Sequence, residues 1–328
     1  MKLMRKDLKA NERITTYFAL ESLQLRTSKT QQQYLVVELC DKTGKIKGYL
    51  WDDPIEAIAA LQEKSYVKVR GITRVNNVSI VLNIERIRTA DKSEVDIRDF
   101  LDVVPGGIDH WYKRLEVLIH SMKDSNCLNL VRSFINDEGF IELFITSPGA
   151  LSVHHNYVGG LLEHTVSSME QASSAAERYQ CLLDRDLMLT GTFIHDIGKV
   201  REIYWEIGRE FTTEGRLLGH IAIGLMMLDE KLSGLQGFPD ELALLLKHML
   251  LSHHGSLEFG SPVVPATPEA VALNLIENTD AKINHLYCHL GNSNSEDDWS
   301  HFDKILYTGI YRRRFPKSDQ KALKGMAA

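Results

Sequence analysis

The sequence predicts a two-domain protein in which a small N-terminal β-barrel precedes an all-α domain. Three observations carry that prediction. The chain has 328 residues, 44% hydrophobic and 25% charged, which is long enough for two separate cores. Residues 1–92 hold 17 Lys+Arg against 11 Asp+Glu, a net +6, so with a total of −6 the remainder carries −12. All 13 histidines lie at or after His110, so the basic first part has none.

The first part reads as five strands. "ITTYFALESLQL", "QYLVVELCD", "KIKGYLW", "SYVKVRGITRV" and "VSIVLNIERI" are rich in β-branched and aromatic residues, and turn signals such as "DKTG" and "NN" separate them. Between the third and fourth lies "DDPIEAIAALQEK", where Pro54 suits a first helical position and Asp53 an N-cap. Five strands with a helix after the third is the order of an OB-fold, a barrel that commonly binds single-stranded nucleic acid. In the third strand Lys47, Tyr49 and Trp51 fall on one face, opposite Ile46, Gly48 and Leu50. That face is the expected substrate platform, with aromatic rings for bases and a cation for phosphate. The plainer alternative is that the two aromatics cover a barrel edge.

From here the domain boundaries are expected at 1–92 for the barrel, 93–108 for a connector ending in "PGG", 109–290 for the helical domain and 291–328 for an extension. Helix-compatible periodicity runs through "HWYKRLEVLIHSM", "NLVRSFINDEGFIELFITSPGA", "GLLEHTVSSMEQASSAAERYQ", "RDLMLTGTFIHDIGKV", "LLGHIAIGLMMLDEKL", "ELALLLKHMLLSHHG" and "TPEAVALNLIENTDAKINHLY". "REIYWEIGREFTTEG" interrupts them and reads as a short hairpin. No apolar run approaches the ~20 residues of a membrane span, and no signal-type segment opens the chain. A cytoplasmic protein without membrane attachment is expected. Cys40, Cys127, Cys181 and Cys288 are scattered with no C-x-x-C pair, which suits reduced thiols and gives no thiolate metal site.

The helical part places polar heads where a core belongs. His195 and Asp196 are flanked by Phe193, Ile194 and Ile197. A buried charge is costly unless it is paired or bound to metal. Asp280 falls on a stripe with Ala272, Ile276 and Ile283 behind the expected N-cap Thr267. His164, His220, His253 and His254 complete the set, and imidazole with carboxylate suits manganese, iron or zinc.

The pattern H…HD…H…HH…D across successive helices resembles the HD-domain superfamily of metal-dependent phosphohydrolases. The resemblance implies one metal on His164, His195, Asp196 and Asp280, and a second on His220 and His253 with His254, Asp196 bridging the two. Two such ions activate water and stabilise an in-line displacement at phosphorus. An OB-fold placed before "HHNYVGGLLEHT", "HDIGK", "EGRLLGHI", "SHHGSLEFGSP" and "TDAKIN" is similar to the YhaM-type 3′→5′ exoribonucleases over roughly residues 12 to 290. This implies two divalent ions, manganese first with cobalt, iron or zinc as alternatives. It also implies a single-stranded RNA substrate, with single-stranded DNA as a second, and leaves a homo-oligomer open. In that context Lys199 is read, with Asp196, as catalytic, a cation facing the transition-state phosphate. His155 and Glu214 are read as substrate contacts, Glu214 alternatively as a support behind the ligands. The basic run "YRRRFPK" receives no role.

Two other function classes remain open on the sequence. One is a phosphohydrolase or phosphodiesterase for small nucleotides on the same metals. The other is a nucleic-acid-binding factor whose helical domain is structural.

Overall fold

The computed structural model describes residues 3–76, 79–151, 155–207, 210–291 and 298–311. "YRRRFPK" therefore lies outside the described residues, apart from Tyr311. Five strands, β1 (Arg13–Thr27), β2 (Gln33–Asp41), β3 (Gly44–Leu50), β4 (Ser65–Asn76) and β5 (Ser79–Thr89), close into a barrel in the order β1-β2-β3-β5-β4. The β3–β5 pair is parallel and the other four are antiparallel. Alternation decides the inside: Leu35, Val37 and Leu39 of β2 and Val67 and Val69 of β4 are fully buried. Helix α1 (Pro54–Ala60) sits between β3 and β4, as an OB-fold requires. Pro54 opens it, but the Asp53 side chain accepts no capping hydrogen bond, and Asp53 takes a left-handed conformation, φ 47°.

The helical part contains α2 (Ile108–His120), α3 (Ser125–Ile135), α4 (Glu138–Thr146), α5 (Gly160–Arg178), α6 (Arg185–Ile194), α7 (Lys199–Glu202), α8 (Thr213–Ser233), α9 (Asp240–Ser252) and α10 (Pro268–Gly291). Aspartates start several of them: Asp124, Asp137 and Asp184 each accept from first-turn amides of α3, α4 and α6. Thr267 likewise accepts from the Ala270 amide, as expected. The stretch read as one helix from Asn129 is two, because Asp137 caps a new start after Asn136. Leu130, Phe134, Phe144, Leu161, Met169, Phe193 and Leu246 centre one continuous core.

The hairpin is present as β6 (Ile203–Tyr204) paired with β7 (Glu210–Phe211). The chain divides into two compact units, residues 1–102 with 204–210, and residues 103–203 with 211–328. The hairpin tip thus groups with the barrel although the sequence places it inside the helical domain. Within the barrel unit Ile207 is buried with Ala19, Tyr66, Ala90 and Phe100. Lys64 pairs with Glu210, and Lys92 with Glu206 at 2.7 Å. The expected connector is structured where it runs beside the barrel, with single 3-10 turns at Lys92–Glu94 and Ile97–Asp99. Among the described residues no helix is long and apolar enough to cross a membrane. Cys40, Cys127 and Cys181 are free thiols, and burial pushes Cys127 up to about 12.

Candidate functional site

Every ligand-type residue picked from the helical part is brought to one place. His164 projects from the first turn of α5, and Asp280 from α10. The expected helix through His195 and Asp196 ends earlier: α6 stops at Ile194, His195 is its C-cap, and Asp196 lies in the turn before α7. His253 is the C-cap of α9. At the ends of α6 and α9 ring and carboxylate are released from the 3.6-residue spacing, so these side chains can converge with those of α5, α8 and α10.

Two glycines make that convergence possible. A Cβ at Gly198 would stand 2.0 Å from the carbonyl oxygen of His220, so only glycine lets the turn after Asp196 lie against α8. Gly219, at φ 73°, kinks α8 one residue before His220. The kink frees the His220 amide, which donates to Glu202 Oε1 at 2.9 Å, and the His220 Nδ1 contacts the same oxygen at 3.1 Å. Glu202 is buried, and it turns Nε2 of His220 inward.

The same device recurs around the site. His195 Nδ1 donates to the Thr192 carbonyl at 2.6 Å, and His253 Nδ1 to the Leu250 carbonyl at 2.7 Å. Each ring therefore presents an Nε2 lone pair to the centre. Asp196 is the hub. Its Oδ2 lies 3.5 Å from His164 Nε2, 3.3 Å from His195 Nε2 and 2.6 Å from Lys199 Nζ. Its Oδ1 lies 3.6 Å from His220 Nε2 and 3.7 Å from His253 Nε2. These last three atoms are buried acceptors with no hydrogen-bond partner. Donors about 2.0–2.2 Å from one ion sit roughly 3.0–3.5 Å apart, and the separations here run from 3.3 to 3.7 Å, so the set fits a divalent cation with small adjustments. Three buried acceptors left without any partner would cost about 1–3 kcal/mol each.

Electrostatics agree at Asp196 and His253, whereas His195, which burial would lower, is held above the usual imidazole value by Asp196 beside it. Burial would raise Asp196, but the Lys199 ammonium and His195 hold it well below the usual carboxylate range. Burial, reinforced by His195, pushes His253 well below the usual imidazole value, which keeps the ring in the neutral form a metal ligand needs. His254 is lowered too, chiefly by burial, and groups with His220 and His253 as a second potential ligand set.

Asp280 occupies a different position from the hub. Its Oδ2 lies 2.7 Å from His164 Nδ1, on the far side of the ring from Asp196, and 3.6 Å from His155 Nε2. Ser167 and Gln171, one and two turns beyond His164, bond its Oδ1. His155, buried and at φ 49°, joins His164 and Asp280 in a third potential ligand set. Ile283, placed by the sequence on the buried stripe with Asp280, is exposed. Glu214 reaches none of these groups. It pairs with Arg201 at 2.5 Å, so the acid behind the ligands is Glu202, twelve residues earlier.

On the barrel, Lys47, Tyr49 and Trp51 do point outward, Trp51 just past the end of β3. Leu35 pairs with Leu50, which sets Tyr34 beside Trp51, and their rings stack at 4.4 Å and 19°. Tyr34 escapes a reading of single strands because its partner lies across the ladder. Glu38 stands opposite Lys47.

The HD domain family matches residues 161–282, the span that holds seven of the eight ligand-type residues named above. Among solved structures, the second OB-fold domain of replication protein A from Methanococcus maripaludis shares 20% identity, with 28% of this chain and 97% of that one covered at a TM-score of 0.24. A mitochondrial single-stranded DNA binding protein of S. cerevisiae shares 12%, with 25% and 97% covered at a TM-score of 0.23. The 3′-5′ exoribonuclease YhaM of Bacillus licheniformis is 35% identical over 274 residues, 83% of this chain and 86% of its own. With that identity across most of both chains, this chain belongs to the YhaM exoribonuclease family.

Proposed function

We propose that this protein is a metal-dependent 3′→5′ exoribonuclease that shortens single-stranded RNA, and single-stranded DNA as a second substrate, to nucleoside monophosphates. The observation that carries the reading is the convergence of Asp196 Oδ1, His220 Nε2 and His253 Nε2, three buried acceptors without partners, in a chain of this family. Two divalent ions, manganese first, are assigned to the site. Asp196 would bridge, with His164 and His195 on one side and His220, His253 and His254 on the other, while Asp280, at the far nitrogen of His164, would hold that ring or join His155 as a further ligand. Bound there, such ions polarise a phosphodiester and supply a nucleophile at neutral pH.

The chain's own residues do the rest. Glu202 and the carbonyls of Thr192 and Leu250 fix the tautomers of His220, His195 and His253, so the ligands need no reorganisation. Lys199, held at Asp196, brings a cation to where phosphate charge builds. His155 borders the same space. The barrel at 1–92 would present a single strand through Tyr34, Lys47, Tyr49 and Trp51. The connector at 93–108 would lead to a phosphohydrolase domain at 109–290, with 291–328 as an extension.

The test is purified protein with Mn²⁺ and a 5′-labelled single-stranded RNA, run beside small nucleotides. A ladder shortening from the 3′ end with release of nucleoside monophosphates is expected. Turnover of small nucleotides alone would replace this reading with a small-nucleotide phosphohydrolase.

A further inference from the structure

The barrel has a second outward surface that the proposed path of the substrate does not use. In the strand order β1-β2-β3-β5-β4 the strand β4 lies between β5 and β1, across the barrel from the aromatic pair β2 and β3. Its outward side chains and those of its neighbours line up in rows. Tyr17, Lys68 and Arg88 are successive cross-strand partners, and Thr15, Arg70 and Arg86 form the next row. Arg13 stands at the end of the same face, opposite Ile72.

Two of these pairings set like charges directly against each other, Lys68 with Arg88 and Arg70 with Arg86. Such pairs destabilise an antiparallel ladder. The acids nearby do not balance them. Glu85 reaches Arg13 at 2.7 Å and Arg70 at 3.3 Å, and Glu94 reaches Arg88 at 2.7 Å. Five cations, Arg13, Lys68, Arg70, Arg86 and Arg88, against Glu85 and Glu94 leave a net +3 on one sheet face. Lys68 and Arg86 make no ion pair among the described residues, and the side chains of Arg13, Arg70 and Arg88 are 61%, 51% and 53% exposed.

We infer that this β1–β4–β5 face is a second nucleic-acid contact, which holds the phosphate backbone of the substrate strand beyond the segment stacked on β2 and β3. The chemistry favours phosphate over bases. The one aromatic ring on the face, Tyr17, already carries the Lys68 ammonium 5.1 Å from its centre. An acidic protein fits less well, because the half-buried Ile72 and Tyr17 stand among five cations and form no continuous apolar centre of the kind a protein interface buries. Outward residues two apart on a strand recur about every 6.6 Å, so the rows offer cations at regular intervals to an extended polyanion. The inference rests on the reading of this protein as an enzyme of single strands.

The experiment compares the wild-type full chain with the triple variant Lys68→Gln, Arg70→Gln, Arg86→Gln, which leaves the Arg13–Glu85 and Arg88–Glu94 pairs in place. Binding of labelled single-stranded RNA is followed by fluorescence anisotropy over a salt series, with metal omitted so that nothing is cleaved. One strand is long, and the other fits a single barrel footprint of roughly 4–16 nucleotides. For the long strand the triple variant should lower the slope of log K against log salt by about 2, three phosphates at about 0.7 each. The short strand should change much less, and the charge-keeping set Lys68→Arg, Arg70→Lys, Arg86→Lys should retain the wild-type slope. Thermal stability should hold or rise as the opposed charges go. An unchanged slope for the long strand in the folded triple variant overturns the inference, including the case where the variant instead loses an acidic protein partner. A wild-type chain that binds no RNA overturns the functional reading as well.

Discussion

Asp196 is the residue on which the centre turns, because its two oxygens face different histidine pairs. Asp196→Asn keeps the shape but removes the charge and replaces one ligating oxygen with an amide NH2 that has no lone pair for a metal. Metal content by mass spectrometry and turnover should fall together, by about 10²-fold or more in rate on the scale of losing one preorganised electrostatic partner. The helical circular dichroism should stay. That His195 and Asp196 would be buried polar groups in need of compensation was legible in the sequence from their neighbours Phe193, Ile194 and Ile197. Glu202 was not legible. Its role depends on a freed amide at His220, and that depends on a backbone conformation at Gly219 that no periodicity announces.

Among the elements, the turn between α6 and α7 bears the tightest constraint. Gly198→Ala would drive a Cβ against the His220 carbonyl and the Gly224 amide, both backbone, so α8 must retreat. Overpacking of this kind costs about 1–3 kcal/mol. A urea melt should show that loss. Metal affinity should fall with it, because His220 moves with α8 while His164 and His195 stay. The strands were legible from their alternation and the helix positions from apolar spacing. The failures share a cause: Asn136–Asp137 and His195–Gly198 are short breaks inside apolar runs, so a capping side chain or a turn ends the helix where the hydrophobic pattern continues.

For the whole molecule, the proposed ligands lie on α5, α6, α8, α9 and at the turns between them, so a bound ion would tie these elements into one cooperative unit. Ions that bind only the folded chain add about 2.7 kcal/mol when present at 100 times their dissociation constant. Thermal melts with and without Mn²⁺ should therefore separate, a chelator should erase the gap, and Asp196→Asn should show none. A melt indifferent to metal would remove the centre from the account. The two-part plan was legible from the split in charge and histidine, but the affiliation of 204–210 was not, since Ile207 finds Tyr66 and Phe100 only in three dimensions. That affiliation has a consequence for inheritance. The barrel is written in the gene as two separate passages, one of them embedded in the coding stretch of the other unit. A recombination event or a fusion that copies residues 1–102 alone takes an incomplete text, with the seat of Ile207 left bare.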